Sequence, residues 1–453
     1  MLLPALEAAA KWDNSSKRPQ EVGSASPPAP NILGSSSASR GFCGSLLGGR
    51  GIVAGAQLRR FYPSDFTLWP DAHWPGSAAN LSDYYTLAEV RRHVRPGDCD
   101  GAAQNWVLGQ LNPFNASPPP WGVDSPTVRN LEAGEGYDSS VARLWTLVLD
   151  DHQIAFAKKC PRRLLIATHS YVTCIEKSGD RVTGVVCKDS RRTGTDSPEI
   201  RVGARMIILA ASPVESARLM LLSRLGNEWT GCYLAEHMYC RRSISVAPPR
   251  EIGSLHRLAV RVVVPPKDGD RNNRFQIEVL GEANPQDTDQ LLLRFTAEAA
   301  MEPRRENKVT LACEPDSGSP ILDEWLIQKA HVTMLKLDDR PEDKTRLAVL
   351  TDSMWRLAER LGVQMGEFHS APIEPLPFGR SHHEAGTLRM GHSDDLKTQP
   401  AVTDSNGRVF GIENLYVADA SVFPCVGVAN PMLTVTALGY RLADHIASVL
   451  SRP

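Results

Sequence analysis

The chain changes its hydrophobic rhythm twice along its length. In the first 231 residues, apolar positions come in short blocks broken by turn residues. Leu81 to Val94 has the spacing of a short helix, with Ser82 as its cap and Pro96 closing it. A second helical stretch covers Val141 to Lys159. Strand-like runs follow at Arg163 to Glu176, Arg181 to Lys188 and Ile200 to Ala211, separated by polar turns. The last is nearly all apolar over Met206-Ile-Ile-Leu-Ala-Ala211, as expected of a strand covered on both faces. Ser212-Pro213 then opens a helix to Leu222, the serine as cap and the proline at the first helical position.

From Cys232 to Pro375 the period shortens to two. Arg257 to Val264, Phe275 to Leu280 and Leu291 to Phe295 alternate as strands of a mainly antiparallel sheet, followed by a helix over Asp343 to Leu361. After Leu376 strand-turn-helix texture returns, with a strand over Asn414 to Ala418 and an amphipathic helix from Pro431 to Leu450. Residues 14 to 40, rich in Ser, Pro, Gly and Ala, read as a disordered tail, and Pro113 to Pro126 as a proline-rich loop. The division this predicts is a tail over 1–40, an α/β domain in two parts (41–231 and 376–453), and an inserted substrate-binding sheet domain over 232–375. The fold class is α/β, α+β overall.

Composition narrows the partners. The 453 residues are 42% hydrophobic and 23% charged with a net charge of −2, which gives no electrostatic case for nucleic acid or an anionic membrane. No apolar run approaches the roughly 18 residues of a membrane span. The first ten residues lack the basic start of a signal peptide. Nine scattered cysteines without a Cys-x-x-Cys spacing argue against a zinc site or a disulfide framework, so no metal is expected. Asn-x-Ser sequons at Asn14, Asn80 and Asn115 are about what chance supplies, and a cytoplasmic location is the default.

The chemistry concentrates near the carboxyl end, in Ser381-His-His-Glu-Ala-Gly-Thr-Leu-Arg-Met-Gly391. Taking a proton from an alcohol while hydride leaves its carbon needs a base titrating near neutrality, which a histidine supplies. Register against Gly386-Thr387 favours His383 over His382; the alternative is a polar turn residue. Asn430 can hydrogen-bond a substrate oxygen that gains negative character, or simply cap the last helix. The helix start at Asn430, Pro431 and Met432 suits the electron-rich edge of a reduced flavin. Asp419-Ala420 ends a strand where open α/β sheets place ligands, or is a turn aspartate.

His383-x-x-Gly-Thr, Asn414-Leu-Tyr-Val-Ala-Asp-Ala-Ser421 with Pro424, and Asn430-Pro-x-Leu-Thr-x-x-Ala-Leu438 resemble the carboxyl-terminal region of glucose–methanol–choline (GMC) oxidoreductases, FAD-dependent alcohol oxidases and dehydrogenases. Gly44 to Phe66 resembles the family's Gly-Gly loop, Thr168 to Ile175 the strand closing over the adenine, and Met206 to Leu222 a further family stretch. The resemblance implies FAD, a small-molecule alcohol substrate, His383 as catalytic base with hydride passing to flavin N5, and Asn430 as its companion. It places Asp419 and Ala420 along the pyrophosphate and ribityl chain, Gly48 and Gly49 against the cofactor, and Val172 near the adenine.

Two departures stand out. The family's opening strand, Gly-x-Gly-x-x-Gly turn and helix are not found; in Gly49-Arg-Gly-Ile-Val-Ala-Gly55 three residues separate the later glycines. The expectation is therefore a chain lacking its amino-terminal nucleotide unit, with FAD binding in question. Ser212 also stands where the family has glycine. A flavin-free descendant, either a small-molecule-binding scaffold or a cofactor-independent lyase or cyclase, is the alternative.

Overall fold

The computed structural model describes residues 32–34, 58–69, 74, 78–92, 94–95, 101–118, 121–122, 164–252, 260–267, 271–284, 286–364, 368, 373, 375–379, 381–391 and 400–451. The described strands are β1 (Ile32–Gly34), β2 (Val94–Arg95), β3 (Trp121–Gly122), β4 (Ser170–Ser178), β5 (Arg181–Asp189), β6 (Glu199–Gly203), β7 (Ile207–Leu209), β8 (His237–Val246), β9 (Val260–Val264), β10 (Phe275–Asn284), β11 (Asp287–Ala300), β12 (Lys308–Leu311), β13 (Ala330–Thr333) and β14 (Leu415–Val417). The described α-helices are α1 (Ser82–Arg91), α2 (Ala102–Leu111), α3 (Pro213–Leu222), α4 (Pro341–Arg360) and α5 (Met432–Leu450).

The alternating stretch forms a four-stranded antiparallel sheet in the order β8-β11-β10-β9. Its two faces follow directly from period-two alternation. Met238, Cys240, Ile277, Val279, Leu293, Phe295, Ala297 and Ala299 make one buried apolar face, packed in one cluster with Val107 and Leu111 of α2 and Leu350, Met354 and Leu357 of α4. The opposite face carries Gln276, Glu278, Thr296 and Glu298, and these are buried too.

A second core joins α5 to α1. Tyr85 and Thr434 share a hydrogen bond of 2.8 Å, and Phe61, Trp74 and Phe423 stack edge to face at 5.1–5.8 Å. Beside it, β4-β5-β6 is an antiparallel sheet, and β7 and β14 form a parallel pair. Asn414 joins the two, accepting from Val182 N–H and donating to the Val182 and Arg205 carbonyls. Arg218, in the Ser216-Ala-Arg-Leu piece of α3, is a buried strut. Its guanidinium reaches Asp323 at 3.0 Å, the Tyr171 hydroxyl at 2.5 Å and the Gln328 carbonyl at 2.8 Å.

Several sequence expectations need correction. The run Ile200 to Ala211 is two strands, β6 and β7, in different sheets, separated by residues 204–206. Ile208 is exposed, so β7 is not covered on both faces among the described residues. Ile32–Gly34, within the expected tail, form a parallel strand on β13, whose edge supplies backbone partners. Leu81 rather than Ser82 is the cap position of α1. Ser212 precedes α3 as expected, but its side chain makes no capping bond and its φ is +75°, a left-handed conformation that glycine adopts most easily. The helix expected at Val141 to Lys159 lies outside the described residues.

Candidate active site

The turn carrying His383 is fixed from both sides. Ala235, just before β8, exchanges two backbone hydrogen bonds with Ala385, at 2.8 and 3.0 Å. The buried carboxylate of Glu236 accepts from Gly379 N–H at 2.6 Å, from Ser381 N–H at 2.9 Å and from the Ser381 hydroxyl. Burial, then the nearby Glu384, pushes the Glu236 pKa up. On the far side, Gly386 N–H donates to the Ala420 carbonyl at 3.1 Å, Leu388 N–H to Ser421 and Met390 N–H to Val422, both at 2.8 Å. Glycine is required at 386: φ is +93°, and a Cβ would sit 2.5 Å from the Tyr233 carbonyl oxygen. The Thr387 hydroxyl closes the turn by donating to the Pro213 carbonyl at 2.7 Å.

His383 faces a second histidine that the sequence reading did not single out. His237 Nδ1 and His383 Nδ1 are 2.8 Å apart, and His237 Nε2 lies 2.6 Å from the Gly427 carbonyl oxygen. That carbonyl can only accept, so His237 Nε2 carries the hydrogen. Burial pushes the His237 pKa down to about 4, so near neutral pH the ring is uncharged and its Nδ1 is bare. His383 Nδ1 must then be the donor, so in a neutral His383 ring it is Nε2 that carries no hydrogen. Gly427 comes within reach of His237 because it has no side chain: a Cβ there would lie 2.9 Å from Asp65 Oδ2 and the Phe61 ring.

Asn430 joins the same cluster from the other direction. Its Nδ2 donates to Glu298 Oε1 at 3.3 Å, and its Oδ1 accepts from Gln276 Nε2 at 3.1 Å. Gln276 Nε2 also donates to Glu298 Oε2 at 2.8 Å. Burial lifts the Glu298 pKa to about 7 against these hydrogen bonds. Ligand atoms of His237, His383 and Glu298 all lie within 4.8 Å of one another, a set that could hold a metal ion, although the two histidines already bond each other directly. Pro431, not Asn430, is the cap position of α5, so the Asn430 amide is turned to the cluster instead of capping the helix.

The other expected cofactor residues divide. Pro431 and Met432 open α5 beside Asn430, and its first backbone N–H groups favour negative charge. These groups, with the His383 imidazole, fit the reacting end of a flavin. Ala420 holds the His383 turn through its carbonyl. Asp419 is buried and already engaged, accepting from Ser212 N–H at 3.0 Å, Ser421 N–H at 2.8 Å and the Ser216 and Ser421 hydroxyls at 2.5 Å. Its carboxylate braces α3 against the turn at 420–422. Val172 sits on β4 at a bulge opposite Cys187, in a different sheet from the histidine pair. Gly48 and Gly49 lie outside the described residues.

His237, Gln276 and Glu298 carried a usable signal. Period-two alternation assigns 276, 278, 296 and 298 to the face opposite Ile277, Phe295 and Ala297, and the Glu236-His237 pair opens the first such strand. What alternation cannot show is that the polar face is covered by another part of the chain.

A family profile described as GMC oxidoreductase matches residues 303–439. The chain is 26% identical over 456 residues to 6'''-hydroxyparomomycin C oxidase of Streptomyces lividus, and 25% identical over 465 residues to paromamine 6'-oxidase of Streptomyces fradiae. Each match covers 90% of this chain and 79% of the relative. Pyridoxine 4-oxidase from Mesorbium loti shares the fold, with a TM-score of 0.57 at 18% identity over 89% of this chain and 84% of that one. By these matches residues 303–439 are similar to the GMC oxidoreductases, and over most of its length the chain is similar to the two Streptomyces oxidases.

Proposed function

We propose that this protein binds FAD and oxidises the CH–OH group of a small-molecule alcohol, with His383 as the base. The observation that carries the reading is the His237–His383 pair, which engages His383 through Nδ1 and makes Nε2 the nitrogen that would take the proton. The hydroxyl proton of the substrate passes to that nitrogen, and Nδ1–H of the resulting imidazolium keeps its bond to neutral His237. Glu298, close by, offsets the new positive charge. The Asn430 amide donates to the substrate oxygen while it carries negative character. FAD, with Asn430, Pro431, Met432, Gly48 and Gly49 near its flavin, Asp419 and Ala420 along its pyrophosphate and ribityl chain and Val172 near its adenine, would supply the acceptor for the hydride at N5. The product is the aldehyde or ketone.

The two Streptomyces relatives, named as oxidases of a hydroxylated paromomycin and of paromamine, support a polar, hydroxyl-rich substrate. No helix among the described residues is long and apolar enough to cross a membrane. The six described cysteines are all free, which suits a reducing compartment such as the cytoplasm. A flavin-free binding protein is the second reading, favoured by Asp419, both of whose oxygens are taken within the chain. The test is direct: purify the protein, record its visible flavin absorbance, and add alcohols without oxygen. Bleaching of a flavin band supports the first reading; a colourless protein that takes up no added FAD contradicts it.

A further inference from the structure

The polar face of the four-stranded sheet holds more hydrogen-bonding capacity than the chain itself uses. Glu298 on β11 stands opposite Gln276 on β10 and Tyr239 on β8, and on the next rung Thr296 stands opposite Glu278 and Arg241. Gln276 is fully buried, and while its Nε2 serves Glu298 and Asn430, its Oε1 receives no hydrogen bond. A buried carbonyl of this kind costs stability until a donor reaches it. Glu298 is buried with two neutral amide donors and no ion-pair partner among the described residues. Arg59 acts on Glu298 through space but bonds the Tyr62 hydroxyl. Buried carboxylates are ordinarily paired. Among the described residues, Gln276 Oε1 thus lacks a hydrogen-bond donor and Glu298 an ion-pair partner, both beside Asn430.

We propose that this face binds the ammonium group of an amino-sugar alcohol, with Glu298 facing the cation and Gln276 Oε1 accepting an N–H or O–H from the same molecule. A neutral polyol would satisfy Gln276 but leave Glu298 unpaired; an ammonium group satisfies both. Burial has raised the Glu298 pKa to about 7, the response of a carboxyl whose counter-ion is absent. The inference rests on the reading of the site as an alcohol oxidoreductase, and makes the sheet face the element that selects the substrate.

The test is binding without turnover, followed by calorimetry, with paromamine as the amino-sugar probe and maltose as a neutral two-ring comparator. Wild-type protein should bind paromamine at least roughly tenfold more tightly than maltose. Glu298→Gln should weaken paromamine by roughly 10–100-fold, the worth of a hydrogen bond to a charged group, and leave maltose unchanged; Glu298→Asp should restore part of the loss. Equal affinities for the two sugars in wild type, no binding of paromamine, or equal weakening of both sugars by Glu298→Gln each overturns the proposal. The wild-type comparison stands even if a variant does not fold. Flavin reduction is read separately in the same preparations. Paromamine binding without any reducible flavin would sink the oxidoreductase reading and leave the subsite; flavin reduction with no sugar preference would do the reverse.

Discussion

The two walls of the site are held by different means. The wall that carries His383 is an irregular turn, fixed by backbone hydrogen bonds from Ala235, Ala420, Ser421 and Val422 and by the Glu236 carboxylate. The facing wall is the flat polar side of a regular sheet, whose backbone is satisfied by its own ladders and whose apolar side packs on α2 and α4. In the first wall a single side-chain change loosens the backbone that aims the base. In the second, side chains can change without moving the strands. On the proposed reading, the turn carries the chemistry and the sheet the selectivity.

The comparison breaks most readily at Glu236. Glu236→Leu leaves three donors of the 379–381 segment unpaired, and breaking such a buried network costs roughly 3–5 kcal/mol. Thermal unfolding should show that loss, with flavin reduction slowed in whatever protein remains folded. An unchanged melting temperature would mean the turn is not held as described.

The pH dependence of stability comes next. Burial raises Asp65 and Glu298 to about 7, and raises Glu236 and Asp419 as well. A carboxyl raised on folding keeps its proton in the native protein where the unfolded chain has lost it, so its contribution falls as pH rises through that window. His237 works the other way: the unfolded ring takes a proton below its usual 6.5, the native one only near 4, so its contribution falls on acidification. Burial raises Glu215 and Glu302 in the same direction, so the raised carboxyls outnumber His237. Protein stripped of flavin should therefore melt at a lower temperature near about pH 8 than near about pH 5.5. A rise across that interval would contradict the assignment of these buried, protonated carboxyls.

The smallest effect is expected at His237. His237→Phe removes the acceptor that fixes the His383 tautomer but not the base itself. The rate of flavin reduction should fall roughly tenfold, about 1.4 kcal/mol, with little change in KM and a shifted pH–rate profile. A loss confined to KM would assign His237 to substrate binding instead.

Much of this was legible in the residues. His383 was singled out by its register against the Gly386-Thr387 turn, and the positive φ at Gly386 shows that turn. Asn430 was marked by its place before Pro431, and the sheet by its alternation. His237 and Glu298 were not, because each is about 85 or more residues from His383 and their meeting depends on how β8 and β11 pair. The engagement of the Asp419 carboxylate was not legible for a related reason. Its partners Ser212 and Ser216 sit some 200 residues away on α3, so only the fold shows that its oxygens are taken within the chain.

The account stands or falls on which atom removes the substrate's proton. Anaerobic rapid mixing of flavin-loaded His383→Ala with an alcohol that reduces the wild type reads that step directly. Reduction should slow by roughly 10²–10⁴-fold, the usual contribution of a general base. A rate within about threefold of wild type, far inside that range, would show that another group holds the proton.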